Sequence, residues 1–168
     1  MRPHIANQVP ESIWELFKTV KNVIERLPPK IETDAYLFGL KIPRDVAIGE
    51  VIPSCHQITR ALAEHFPVIV HDDGVLHINK AGEQCHLDHS WLTVVRQDQK
   101  WIIDPWPLGV LSGPALFVQE YAFNFQEVDT SSSRLPNSFI VVVEAVSLLI
   151  EKILENDSSF GEQNDQRS

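Results

Sequence analysis

The chain has little with which to hold nucleic acid, build a disulfide framework or cross a membrane. Lys and Arg number 14 against 23 Asp and Glu, giving a formal net charge of −9 with His neutral. No basic stripe exists to neutralise phosphates, so nucleic acid is not an expected partner. With only 2 cysteines among 168 residues, one before a helical pattern and one in a strand or loop, a reducing compartment is expected. No stretch reaches the roughly 18 apolar residues of a membrane span, and MRPHIANQVPES lacks the apolar core of a signal peptide. A cytoplasmic protein is therefore expected, or one exported by a specialised secretion system that reads no such signal. The phosphate-cradling, dinucleotide-binding, H-E-x-x-H and G-x-S-x-G motifs are all missing, so no cofactor is implied.

What is present suffices for a core: 43% of the residues are hydrophobic, and a chain of this length needs neither metal nor disulfide to fold. One domain over 1–155 is expected, with a polar, disordered tail over 156–168; a monomer is expected. Ser12 and Glu15 have capping-box spacing. Ile13, Phe17, Val20, Ile24 and Leu27 then recur on one helical face until Pro28 and Pro29, with Lys18, Lys21 and Arg26 on a solvated side. Residues 30–54 have no sustained period and read as a long connection that could line a cleft. Strands are expected near 68–71, 75–78, 85–95 and 100–104, with Asp73-Gly74 as a hairpin turn. A short helix is expected over 115–122. Residues 138–155 are apolar nearly all round and read as a buried helix, although FIVVV at their start also suits a strand.

The chemistry concentrates in two places. In CHLDHSWLTVVRQDQKWIIDPWPL, residues 85–108, two β-rich runs flank the polar turn RQDQ, and Pro105 ends the second run. A turn centred on Arg96 and Gln97 sets His89 opposite Asp104; one centred a residue later makes them diagonal neighbours. Either register brings imidazole and carboxylate within hydrogen-bonding reach on one face. Such a pair fixes the tautomer and leaves the second ring nitrogen as a base. The matching nucleophile is Cys55 in VIPSCHQITRALAEHFP. Pro53 and Ser54 mark a helix start, and Ile58, Ala61, Leu62 and Phe66 continue at helical spacing up to Pro67. In a first helical turn the unsatisfied N–H groups and the dipole favour a thiolate, and the same amides can receive an oxyanion. A buried cysteine alone is more often a small hydrophobe, a lone histidine can be core, and Asp-Pro can be only a turn. It is the three together that indicate catalysis.

These pieces resemble the papain-like and transglutaminase-like cysteine enzymes, including bacterial transglutaminase-like cysteine proteinases and the glutamine-deamidase domains of bacterial toxins and effectors. SCHQIT corresponds to the nucleophile helix, DHSWLTV to the histidine strand, and KWIIDPWP to the aspartate strand. Trp91 follows the histidine closely and Trp101 precedes the Asp-Pro, as is common there, and the interval from His89 to Asp104 is similar to that of the deamidase effectors. The resemblance covers residues 50–108. It departs at the oxyanion hole, because IPRDVAIGEVIPS contains no glutamine where papain-like enzymes place one. It implies an α+β fold with a papain-like/transglutaminase-like core, in which a nucleophile-bearing helix packs on an antiparallel sheet of about four or more strands with flanking helices. It also implies a Cys55-His89-Asp104 triad.

The expected activity is therefore a thiol hydrolase or acyltransferase working through a thioester on a protein or peptide substrate. Water resolving the thioester makes a peptidase or glutamine deamidase, whereas a lysine amine makes a transglutaminase. A non-catalytic binding module that keeps the fold is the contrasting class. Trp91 shares a strand face with His89, so it is a candidate substrate-binding residue, as is Trp106 beyond Asp104; either could equally be core. A zinc site from His71, His77, Cys85, His86 and His89 is disfavoured by spacing, because Cys85 and His86 point to opposite faces of a shared strand. The other histidines are assigned to surface or loop positions.

Overall fold

A computed structural model describes residues 9–32, 49–105, 115–118, 125–129 and 134–165. Among these, helices α1 (Glu11–Arg26), α2 (Cys55–His65) and α3 (Asn137–Asp165) accompany strands β1 (Ile31–Glu32), β2 (Glu50–Val51), β3 (Val70–Lys80), β4 (Glu83–Arg96), β5 (Gln99–Asp104), β6 (Ala115–Val118) and β7 (Phe125–Glu127). The architecture is α+β. β1 and β2 form a short antiparallel pair, and the other five strands form one antiparallel sheet in the order β6-β5-β4-β3-β7.

The helices cover one side of this sheet. Ile13, Phe17, Val20 and Val23 of α1, Ile58, Ala61 and Leu62 of α2, and Val142, Val143, Ala145, Val146 and Ile150 of α3 form a continuous core with Leu92, Val94, Trp101 and Ile103 of the sheet. The alternation of Leu92 with Val94, and of Trp101 with Ile103, is the period of two that a strand requires to turn one face to the helices. Near the end of α2, His65 Nε2 lies 2.8 Å from Ser147 Oγ, and that hydroxyl donates to Glu64 Oε2 at 2.7 Å. These contacts fix how α2 sits against α3.

Two tight turns set the sheet's register. β3 and β4 pair from Val70↔Thr93 to Lys80↔Glu83 around Ala81-Gly82, and β4 and β5 pair from Leu92↔Ile103 to Arg96↔Gln99 around Gln97-Asp98. All four turn residues have positive φ, the requirement of the two-residue turn whose twist matches the flanking strands. The β4–β5 turn is thus centred one residue after Arg96-Gln97, the register that makes His89 and Asp104 diagonal neighbours.

Several expectations are corrected. Asp73-Gly74 is no hairpin turn, since β3 runs unbroken through it and the turn is at Ala81-Gly82. Gly74 has a different purpose: a Cβ there would lie 2.0 Å from the Gln126 carbonyl oxygen and 2.6 Å from Trp91 Cη2. It lets β7 and the Trp91 ring close onto β3. Residues 115–118 pair with β5 as a strand instead of beginning a helix, because Leu116 packs against the core; 119–122 lie outside the described residues. α1 begins after Pro10 with no side-chain cap, and Ser12 lies inside the helix. Pro10 supplies a carbonyl that receives both the Ile13 and Trp14 amides at 3.0 Å. FIVVV is helical, and α3 continues to Asp165 through the run expected to be a disordered tail. Asn22 Nδ2 donates to Asp157 at 2.9 Å and Arg26 pairs with the same carboxylate, so tertiary contacts hold a stretch whose composition alone would not.

Gly74→Ala is expected to cost about 1–3 kcal/mol or more, the range for overpacking a closed site, because backbone and an indole ring must both move. Thermal denaturation checks this. An unchanged melting temperature would mean that β7 and Trp91 do not close on β3 as described.

Candidate active site

Ser54 starts α2 with a reciprocal capping box: its side chain accepts from the Gln57 amide, and Gln57 Oε1 accepts from the Ser54 amide at 2.9 Å. This places Cys55 at the first helical position. It also occupies two of the amides that a helix start normally leaves unsatisfied, so the Cys55 and His56 amides are the first-turn donors available to an oxyanion. Gln57, two residues after Cys55, is committed to the cap and so is not the oxyanion-hole glutamine that the segment before Cys55 lacks. The antiparallel β1–β2 pair, Ile31↔Val51 and Glu32↔Glu50, anchors the chain just before this cap. Residues 33–48, most of the connection expected to wall a cleft, lie outside the described residues.

His89 and Asp104 are both fully buried, and His89 Nε2 donates to Asp104 Oδ2 at 2.8 Å. Since Nε2 is engaged by the carboxylate, Nδ1 is the nitrogen left for the thiol. Burial works against protonation of His89. Burial is the largest single influence, but the hydrogen bonds to Asp104 and Cys55 and the charges of both partners together outweigh it and raise the imidazole pKa to about 9. Burial likewise opposes ionisation of Cys55. Hydrogen bonds from His56, from His89 and from the Ser90 backbone amide, with the charge of His56, overcome it and lower the thiol to about 6. The Ser90 amide can serve the sulfur because the β4–β5 ladder reaches only as far as Leu92↔Ile103, which leaves the His89-Ser90 stretch of β4 beyond its end. The structure thus brings the Cys55 thiol, the His89 imidazole and the Asp104 side chain together, with the thiol pKa lowered and the imidazole pKa raised.

His56 was not anticipated. It follows Cys55 in the first helical turn with its Nδ1 2.5 Å from Ser90 Oγ, and the Ser90 hydroxyl donates to Asp73 Oδ1. Asp73, its side chain 8% exposed, also receives His71 Nε2 on Oδ1 and Arg60 Nη2 on Oδ2, each at 2.9 Å. The available sequence signal was the Cys-His neighbour pair itself. Its partners were hidden because Asp73 read as a turn residue, whereas it pairs across the ladder with Ser90. His71 is likewise not a loop residue but lies on β3.

The two tryptophans expected at the substrate fare differently. Trp91 does lie beside His89, with ring centroids 6.3 Å apart, but it is fully buried and packs over Gly74. It is a wall behind the histidine and not a substrate contact, because the glycine provides a closed slot that the indole fills. Trp106 lies outside the described residues. His77 and His86 pair across β3 and β4 with their rings edge to face at 4.6 Å, and among the described residues no cluster of three or more His, Cys, Asp or Glu is arranged to hold a metal. A cavity of about 520 Å³ lined by Arg60, Glu64, His71, Ile140 and Glu144 shares Arg60 and His71 with the Asp73 network but does not include Cys55. Among the described residues, no helix is long and apolar enough to cross a membrane.

No family model, curated protein or solved structure matches the chain.

Cys55 is expected to alkylate with a midpoint near pH 6, well below the ordinary thiol value of about 8.5. Peptide mapping after iodoacetamide treatment across pH measures this for each thiol separately. At pH 7 Cys55 should react well ahead of Cys85; equal rates, or a faster Cys85, would remove Cys55 from the nucleophile role.

Proposed function

We propose that the chain is a cysteine-dependent hydrolase acting on a protein or peptide substrate, with Cys55 as nucleophile, His89 as general acid and base, and Asp104 as the group that orients and charges His89. The observation that carries this reading is the fully buried His89–Asp104 hydrogen bond, 2.8 Å long, aimed from two strands at a thiol in the first turn of a helix. A structural cysteine needs none of this, whereas an activated thiol needs both a lowered pKa and a proton carrier held in one tautomer.

The chemistry follows from the roles. The Cys55 thiolate attacks a carboxamide or peptide carbonyl carbon, forming the C–S bond and moving the carbonyl π electrons onto oxygen, where the first-turn amides of α2 stabilise the anion. Collapse breaks the C–N bond as His89 hands its proton to the departing nitrogen, leaving a thioester. Neutral His89 takes a proton from water as the oxygen attacks, becoming an imidazolium again, and collapse of the second intermediate breaks the C–S bond and expels the thiolate, releasing the acid. Attack on a glutamine side chain releases ammonia and makes a glutamate; attack on the main chain cuts it. A lysine amine in place of water gives a crosslink, and the same residues would support that step.

The papain-like/transglutaminase-like resemblance of residues 50–108 supports the reading, as does a nucleophile-bearing helix packed on an antiparallel sheet. The net charge of −9 suits neutral or basic stretches of polypeptide better than phosphate-rich partners. Deamidation or peptide hydrolysis is the favoured outcome.

Intact-mass spectrometry of candidate proteins incubated with the wild-type chain and with Cys55→Ala tests the proposal. A gain of about one dalton reports deamidation, fragments report proteolysis, and joined masses report crosslinking, each being a different resolution of one thioester. If no polypeptide changes and no small amide is consumed through Cys55, the hydrolase reading fails. With a substrate in hand, Asp104→Asn should lower kcat on the order of 10²- to 10⁴-fold, because an amide holds His89 in the wrong tautomer and cannot stabilise the imidazolium. Undiminished turnover in this variant would remove Asp104 from the mechanism.

A further inference from the structure

We propose that Cys55 is served by two histidines with divided roles: His89 carries the proton, while His56, locked by Ser90 and Asp73, keeps a positive charge against the sulfur throughout the cycle. The inference rests on the hydrolase reading above and extends it to a residue pair, His56 and Asp73, that the triad does not use.

The hydrogen-bond directions argue for it. Ser90 has one hydroxyl proton, and it goes to Asp73 Oδ1. Toward His56, 2.5 Å away, Ser90 Oγ can therefore only accept, so Nδ1 carries a proton. The other ring nitrogen, Nε2, faces the Asp88 carboxylate at 3.8 Å. A lone pair there would be turned toward an anion, so a second proton is favoured and the ring is an imidazolium. Among the described residues, the charged or titratable groups set against this ring are Cys55 on α2, Asp73 on β3 at 3.5 Å, and Asp88 on β4. Arg60 and His71 bond to the same Asp73 carboxylate. The His56 pKa is raised, chiefly by the hydrogen bond to Cys55, with burial opposing and the charges of Cys55 and Asp88 and the Asp73 contact adding to it.

The division has a chemical reason. When His89 has given its proton to the leaving nitrogen it is neutral, and in the second half-reaction it is occupied by the proton of the attacking water. The thiolate then leaves the tetrahedral carbon against an imidazolium whose charge comes and goes with that proton, and a second, unchanging cation beside the sulfur adds to its stabilisation. His56, which gives up no proton in either half, stabilises the sulfur anion at that step. Ser90 and Asp73 are positioning residues, since neither side chain acts on the thiol directly.

The test is the pH profile of Cys55 alkylation by iodoacetamide, read peptide by peptide on the full chain. His56→Gln should move the midpoint upward by a unit or more, on the order of a tenfold loss of rate on the acidic limb. Ser90→Ala should move it in the same direction although the Ser90 backbone amide still reaches the sulfur, and Ser90→Thr, which keeps the hydroxyl, should restore it. His89→Gln should retain a reactive fraction below the ordinary thiol range. An unchanged midpoint in folded His56→Gln, or in Ser90→Ala should His56→Gln fail to fold, overturns the inference. So does a full return to the ordinary thiol value in His89→Gln alone. A wild-type midpoint already at the ordinary value would instead overturn the activated nucleophile of the hydrolase reading, so the two failures are distinguishable.

Discussion

Everything at the site depends on one buried contact, the hydrogen bond between His89 and Asp104. Both groups are entirely withdrawn from water, and a carboxylate in that position is tolerable only when a partner and further hydrogen bonds replace its hydration. Taking one member away strands the other, a loss of about 3–5 kcal/mol in comparable buried pairs. The contact also fixes chemistry: with Nε2 on the carboxylate, the imidazole can present only Nδ1 to the sulfur. Stability and reactivity therefore draw on the same atoms.

The surrounding sheet is built so that this contact can exist. β5 ends at Asp104, and Pro105 cannot extend the ladder, so its carboxylate sits at a strand terminus where it can reach diagonally to His89. β4 runs on past the last rung, which exposes the Ser90 amide to the thiol. On the other side of β4, the missing side chain at Gly74 admits the Trp91 indole, and that ring backs His89. A bulkier residue at position 74 would meet both the Gln126 carbonyl of β7 and the Trp91 ring, so each would have to shift. The helix supplies the remaining element, because the capping box of Ser54 and Gln57 sets where α2 begins and thereby puts Cys55 at its first position.

A second polar system lies beside the first. Asp73 gathers Arg60, His71 and Ser90, and through Ser90 it reaches His56. Asp104 addresses His89, Asp73 addresses His71 directly and His56 through Ser90, and of these histidines His89 and His56 lie against the sulfur. Such a network is costly if any member is unsatisfied, and Asp73 accepts from three donors.

The meeting of Cys55, His89 and Asp104 was legible in the sequence because its signals are local. A helix start is written in Pro53, Ser54 and the apolar spacing that follows, and a hairpin that must bring His89 near Asp104 is written in a polar turn between two β-rich runs. Neither reading depended on the exact register, since opposite and diagonal placements both bring the pair within reach. α1, α2 and the amphipathic alternation of β4 and β5 were legible for the same reason. Tertiary structure alone decided what could not be seen locally: that Asp-Gly at 73–74 serves a close approach instead of a turn, that residues 115–118 are recruited as an edge strand, that a polar run past 155 continues α3, that Trp91 is sealed in the core, and that His56 finds Ser90 and Asp73. In each case the deciding partner lies far along the chain, at Gln126, Ile103, Asn22, Gly74 or Ser90. A sequence specifies the period and caps of its own segments; which distant surface those segments meet is set by packing and by the requirement that buried polar groups be paired.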